Sequence, residues 1–218
     1  MKEEKETKER LLISAKKEFV EKGYLQASLR NICKNAGVTT GALYFFFQDK
    51  EDLFAAVVEE PLQCLREIME EHYAYEITHG EGQISDGEVD ETDINATVQI
   101  IHVLYQYYDE FQVILTKAQG SRYENCLDEF VKISEHHYRV LADRITNEQG
   151  LPRIEDYMIH WISHLQVDVF VHLCTHEKDE AAAIRHMSSI IKFMIAGWVA
   201  LFAKLSLIHI SEPTRPEP

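Results

Sequence analysis

Apolar residues in the first fifty positions recur with a period near 3.6. Leu11, Leu12, Ala15, Phe19 and Val20 form one stripe and predict a helix over residues 6–21, ended by Gly23 as its C′ residue. Ser28 stands where it would cap a short helix over 29–35, whose inward face is Leu29, Ile32 and Cys33. Ala36-Gly37-Val38 reads as a tight turn, and Thr39 caps a third helix over 40–46. From Gln48 to Leu53 an N-cap and an acid-rich first turn open a fourth, long helix reaching about Tyr75. Pro61 lies inside it, removing one backbone bond and crowding the preceding turn, so a kink or a break is expected near Val57 to Pro61.

Beyond that helix, His79 to Thr92 combines three glycines with five acids and has little to bury, as a mobile loop would. Five further helices are expected over 93–106, 108–119, 122–149, 154–176 and 179–205, with Gly120 and Gly150-Leu151-Pro152 as punctuation. No segment alternates as a strand should. The expected fold is therefore all-α, with about nine helices: a helix-turn-helix unit over 1–50 and a larger helical body over 51–205. The tail 206–218, SLIHISEPTRPEP, abandons the helical pattern and holds three of the five prolines. It resembles a translated sequencing-adapter read-through and is expected to be non-native or disordered.

Composition narrows the class. In 218 residues, a hydrophobic fraction of 45% rules out wholesale disorder. The longest apolar run, Phe193 to Ala203, has 11 residues against the roughly 20 that a bilayer requires. Met1-Lys2-Glu3-Glu4-Lys5-Glu6 leads into no apolar h-region, unlike a signal peptide. The four cysteines, Cys33, Cys64, Cys126 and Cys174, are far apart and read as reduced buried residues. A soluble, cytoplasmic protein with no membrane partner is expected. Its net charge of −15 is unevenly spread: residues 1–50 carry +3 and residues 51–218 carry −18. A mildly basic head on an acidic body keeps nucleic acid open as a partner of the head alone.

Residues 28–47 have the grammar of a helix-turn-helix: a short capped helix, a glycine-containing turn and a second helix with one face left free. The string ASLRNICKNAGVTTGALYFFFQDKEDLF, Ala27 to Phe54, strongly resembles the N-terminal domain of TetR-family transcriptional regulators. The likeness extends upstream to Ile13, Ala15, Phe19, Gly23 and Tyr24. It implies a homodimer that sets two recognition helices, 40–46, into successive major grooves of a palindromic duplex operator, roughly 34 Å apart. By the same resemblance, Ser28, Tyr44 and Lys50 would contact phosphates, with Arg30 as a weaker candidate. Thr39, Thr40, Gly41 and Phe45 would face base edges or thymine methyls. Two positions depart from the family pattern: Phe45 stands where His is frequent, and Gln48 where Lys is frequent. Both remove polarity directed at phosphate. Phe45 either packs on a thymine methyl or packs internally.

For the body the resemblance implies a small-molecule effector, dimerisation and repression as the default. The sequence adds wide apolar stripes on 154–176 and 179–205, including Trp161, Leu165, Val169, Met194, Trp198 and Phe202. These would form a dimeric four-helix bundle or, alternatively, serve as intrachain core. Aromatic residues crowd Tyr105, Tyr107, Tyr108, Phe111, Tyr123, Phe130 and Tyr138, and of these Tyr105, Tyr108, Phe111, Tyr123 and Phe130, with Trp161, are the first candidates to line a pocket for an aromatic or lipophilic effector. They would otherwise be ordinary core. In one mechanism, ligand occupancy shifts the fourth helix and changes the separation of the two heads.

The pairs His160/His164 and His172/His176 have i,i+4 spacing, with Asp168 between them. Two ligands make no site, and surface or interface histidines are the expectation. No metal and no cofactor are expected. The rival class is a helical-bundle enzyme of the di-iron carboxylate kind, which needs two E-x-x-H motifs. Only Glu76-x-x-His79 has that spacing, and no catalytic constellation is found. A plain helical adaptor without DNA binding would not require the 27–54 string.

Overall fold

The computed structural model describes residues 2–79 and 91–203, and among these it contains nine helices and no strand. They are α1 (Lys2–Gln26), α2 (Leu29–Ala36), α3 (Thr40–Phe46), α4 (Lys50–His79), α5 (Glu91–Gln106), α6 (Tyr108–Lys117), α7 (Leu127–Gln149), α8 (Asp156–His176) and α9 (Glu180–Ala200). The centre of the expected acidic loop and the tail expected to be non-native lie outside the described residues.

The head folds as its caps dictate. The Ser28 hydroxyl accepts from the Asn31 N–H and opens α2, and the Thr39 hydroxyl accepts from the Ala42 N–H and opens α3. Between them Gly37 takes the left-handed conformation (φ 68°, ψ 35°), so that its N–H and that of Val38 close onto carbonyls of the last turn of α2. At the start of α4, the Asp49 carboxylate accepts from the Asp52 N–H, while the Asp52 carboxylate accepts from the Gln48 N–H. This is a reciprocal capping arrangement.

Several boundaries differ from expectation. α1 begins four residues before its expected start at residue 6, and its helical pattern resumes beyond Gly23, which is non-helical at φ 72°, ψ 168°. α4 passes Pro61 without a break and runs on to His79, because Pro61 and Leu62 are buried and tertiary packing holds the chain helical there. α7 starts at Leu127 rather than Arg122. The Ser121 hydroxyl donates to the Ala118 carbonyl and accepts from the Tyr123 N–H, holding this segment in turns. α9 ends at Ala200, not 205.

One apolar cluster runs from Leu11, Phe19, Leu43 and Phe54 in the head to Phe111, Phe130 and Val167 in the body. α1 packs on α2 and α4, and on α6 of the body. Phe19, Tyr24, Phe54 and Tyr123 form a chain of aromatic contacts across this junction, with ring centres 4.8–5.8 Å apart in the direct pairs. Polar ties reinforce it. The Lys117 ammonium donates to the Val20 carbonyl, Lys16 pairs with Glu110 at 2.7 Å, and the Arg122 N–H donates to Glu51 at 3.0 Å.

Gly23 sits where α6 ends: a Cβ placed on it would lie 3.1 Å from Lys117 Cβ and 3.3 Å from the Lys117 carbonyl. Its dihedral angles are also in a region that essentially only glycine occupies. Gly23→Ala is therefore expected to destabilise the protein by about 1–3 kcal/mol, measured as a lower urea midpoint. Gly197→Ala, at a position with open space around it, is expected to change the midpoint little.

Candidate DNA-reading head and effector cavity

α3 has seven residues, too few to be stable alone. Leu43, wholly buried, and Phe47 just beyond the helix pin it against the head, and the opposite face is left to solvent. On that face stand Thr40, Gly41, Tyr44 (54% exposed) and Phe45 (72% exposed), with Thr39 at the cap. The choice left open at Phe45 is thus settled against internal packing: its ring meets only the edge of Phe46 on the same helix, at 4.9 Å. No side chain of α3 is charged, so this surface offers methyls, hydroxyls and aromatic rings to a partner.

The expected phosphate ligands are differently placed. Arg30 is exposed on α2. Ser28 is half-buried, its hydroxyl occupied by the cap and its N–H donated to Glu18 Oε1 at 3.1 Å. Lys50 is more constrained: its ammonium donates to the Leu25 carbonyl at 3.1 Å and lies 4.7 Å from the Tyr24 ring centre. Partial burial pulls its pKa down. The backbone N–H groups of Gln48 and Asp52 are engaged by carboxylates of the same turn.

Three residues at the head escaped sequence reasoning. Glu18, buried on α1, accepts from both Ser28 and Asn31, anchoring the start of α2 with a carboxylate where a helix favours one. Its apolar neighbours gave no signal of that role. Lys8 lies over the Phe47 ring at 5.6 Å, and Arg10 reaches to within 3.9 Å of the Cβ position of Gly37. Both bring cations to the rim of the two short helices. The mixed-sign start of α1 could have marked them.

In the body, a cavity of about 620 Å³ opens between α4, α5, α6, α7, α8 and α9. Its walls are mainly Leu, Ile, Met, Phe and Trp side chains, such as Leu62, Met69, Ile114 and Leu165. Of the aromatic candidates, Phe111, Phe130 and Trp161 line it. Tyr105, Tyr108 and Tyr123 do not. Tyr105 donates its hydroxyl to the Glu177 carbonyl at 2.9 Å, Tyr108 packs beside Tyr105, and Tyr123 belongs to the junction with the head. Tyr138, from the same aromatic stretch, does line the cavity, and so do Tyr73 and Phe170. Helical spacing could have found Tyr73, one turn after Met69 and three after Leu62 on the same face of α4, but crowding in sequence drew attention elsewhere.

The proposed interface residues divide as well. Trp161, Leu165, Met194 and Trp198 line the cavity, and Trp161 is also 48% exposed. Val169 packs on a small cluster with Leu173, Ala183 and Met187, and Phe202 is buried against Ala142, Ile145 and Ile159. Phe193 and Tyr157, at 72% and 75% exposed, are the apolar groups most available outside. His160 Nδ1 lies 3.3 Å from Glu135, but neither histidine pair is part of a convergent group of three metal-binding side chains among the described residues. His160 and His164 meet edge to face at 4.6 Å, and His172 and His176 stack at 4.0 Å. In Glu76-x-x-His79 the two side chains part company: His79 stacks on Tyr75, whereas Glu76 turns to His137.

Two short helices, each with one face buried in the head and joined through a left-handed glycine, with α3 presenting its other face to solvent, define the head as a helix-turn-helix unit of the DNA-binding class. The family model of the bacterial regulatory proteins of the tetR family matches residues 11–57. The HTH-type transcriptional repressor BepR of Brucella suis biovar 1 (strain 1330) is 42% identical over 64 residues, covering 29% of this chain and 31% of that protein. The match thus spans about a third of that relative's length. The fold is shared further. A transcriptional regulator of the TerR/AcrR family from Aquifex aeolicus VF5 superposes with a TM-score of 0.60 at 20% identity, over 86% of this chain and 99% of that one. FadR from Bacillus subtilis, solved in complex with stearoyl-CoA, superposes with a TM-score of 0.53 at 17% identity, over 86% and 97%.

The polar span across the cavity gives a test of how it is held. The Tyr73 hydroxyl lies 3.1 Å from Ser134 Oγ and donates to Gln166 Oε1 at 3.0 Å, joining α4, α7 and α8. Tyr73→Phe is expected to cost about 1–3 kcal/mol of stability, because Ser134 and Gln166 lose a buried partner. Burial pushes the Tyr73 phenol up to about 12 from 10.0. The folded state therefore keeps this proton while the unfolded chain loses it, and the contribution, complete below pH 10, is lost as pH rises from 10 to 12. Urea midpoints measured across that window are expected to fall less steeply for Tyr73→Phe than for the natural chain.

Proposed function

We propose that the chain is a ligand-responsive transcriptional regulator, by default a repressor, that binds a palindromic DNA operator as a homodimer. The observation that carries this is the exposed, uncharged face of α3, held outward by buried Leu43 in a head whose family match is specific. Residues 1–50 form the DNA-binding head, and residues 51–205 bind effector and pair the subunits. Thr39, Thr40, Gly41 and Phe45 read base edges and thymine methyls, Tyr44 and Arg30 meet phosphates, and Ser28 and Lys50 set the helices that carry them. The relatives to which the chain is similar are named transcriptional regulators, not enzymes. No helix among the described residues is long and apolar enough to cross a membrane.

The effector is a lipophilic molecule. The cavity's walls are apolar and its polar groups few, the pattern of a pocket that takes an apolar body and orients it by a polar end. A regulator of the same fold captured with stearoyl-CoA supports the same chemistry. The subunits meet through α8 and α9, whose exposed Tyr157, Trp161 and Phe193 are the large apolar groups that a partner would cover. Ligand in the cavity, pressing on α4 and α6, moves the two heads out of register with adjacent grooves.

Selection from random duplexes with the purified chain is the direct test. The enriched sites should be inverted repeats bound by two chains each; enrichment of no sequence would overturn the reading. Tyr44→Ala is expected to weaken binding to every selected site about equally, as loss of a phosphate contact does, whereas Phe45→Ala should relax preference at one base pair per half-site, by about 1–3 kcal/mol. Fluorescence anisotropy on single-base variants separates the two. Phe193→Glu combined with Trp161→Glu should yield a monomer by sedimentation, with operator affinity lost alongside.

A further inference from the structure

We propose that His72, Glu76 and Asp93 form a binding site for one divalent transition-metal ion of the zinc type, tying the last third of α4 to the first turn of α5. His72 and Glu76 stand one turn apart on the same face of α4, and Asp93 meets them from α5. One donor atom from each lies within 4.8 Å of the others. His72 Nε2 is 3.3 Å from Asp93 Oδ1 and 3.5 Å from Glu76 Oε2. These separations are long for a good N–H···O bond. They match the edge of a tetrahedron about 3.4 Å long that bonds of about 2.1 Å to zinc define. The three side chains are 16–26% exposed, so an ion can enter from solvent and is still partly shielded.

Charge and support point the same way. Two carboxylates converge on one imidazole in a chain of net charge −15, a cluster that a cation would neutralise. His137 completes the surroundings. It is 2% exposed, stacks flat on Tyr73 at 3.9 Å, and places Nε2 2.8 Å from Glu76 Oε2, while its Nδ1 is buried without a hydrogen-bond partner. A histidine that fixes the carboxylate of a metal ligand is a recurrent supporting element. The donor set decides the ion class: one imidazole nitrogen favours zinc, cobalt(II) or nickel over magnesium or calcium, which prefer oxygen alone. Three protein ligands leave a fourth position for water. All four side chains belong to the cavity wall, so the ion would sit at the polar end of an otherwise apolar chamber. The inference does not depend on DNA binding.

The test uses the full chain without a histidine tag. Cobalt(II) chloride is added as the probe, and visible d–d bands and the thermal midpoint are recorded, then zinc is used to displace it. One cobalt per chain with intense, tetrahedral-type bands is expected, and the midpoint should rise on the order of 5–10 °C at a hundredfold excess over Kd. Asp93→Asn and His72→Gln should each abolish the bands and weaken binding at least tenfold, while the helical circular dichroism of the ion-free protein stays unchanged. His137→Gln should lower affinity about 10–100-fold yet keep the bands. The double variant His160→Gln/His164→Gln should bind as the natural chain does. No bands at stoichiometric cobalt, or bands that survive both Asp93→Asn and His72→Gln, would overturn the site.

Discussion

Two helices of eight and seven residues do not persist in water by themselves, and the head of this protein is built from them. What holds α2 and α3 is burial of Ile32, Cys33, Leu43 and Phe47 against α1 and α4, continued inward by Phe19 and Phe54. That burial fixes which side of α3 is spent on the core. Everything proposed for the outer face follows from it, since Tyr44 and Phe45 are exposed because Leu43, just before them on the same helix, is buried.

The same burial extends into the body without interruption. α1 packs against α6, so the helix that supports α2 and α3 also touches a helix that borders the cavity. Lys16–Glu110, Lys117–Val20 and Arg122–Glu51 are polar ties across that seam. A displacement of α6 is therefore felt at α1 directly, by contact, and not through α4 alone.

The head was legible in the sequence because local chemistry determines it. Ser28, Thr39, Asp49 and Gly37 each announce a helix end through a hydrogen bond or a backbone angle made within a few residues. The body was less legible because its sites depend on long-range convergence. Apolar periodicity marked α8 and α9 but could not say that Trp161 and Trp198 line a chamber, Trp161 while also half exposed. Tyr105 and Tyr123 looked like neighbours of Phe111 along the chain, yet packing sends one to the loop before α9 and the other to the head. His72 and Asp93 are separated by an entire helix end and a polar segment, so no spacing rule joins them.

Gly23 carries a consequence for how such proteins are assembled from parts. The end of α6 fits against α1 at a spot where a side chain on residue 23 would crowd Lys117, 3.1 Å from its Cβ and 3.3 Å from its carbonyl oxygen. A head of this kind is thus cut to its own body: transplanted onto a different one, it would meet another side chain and another carbonyl in that notch. Chimeras that keep residues 1–50 should retain the turn of the wrist only when the segment around Lys117 travels with them.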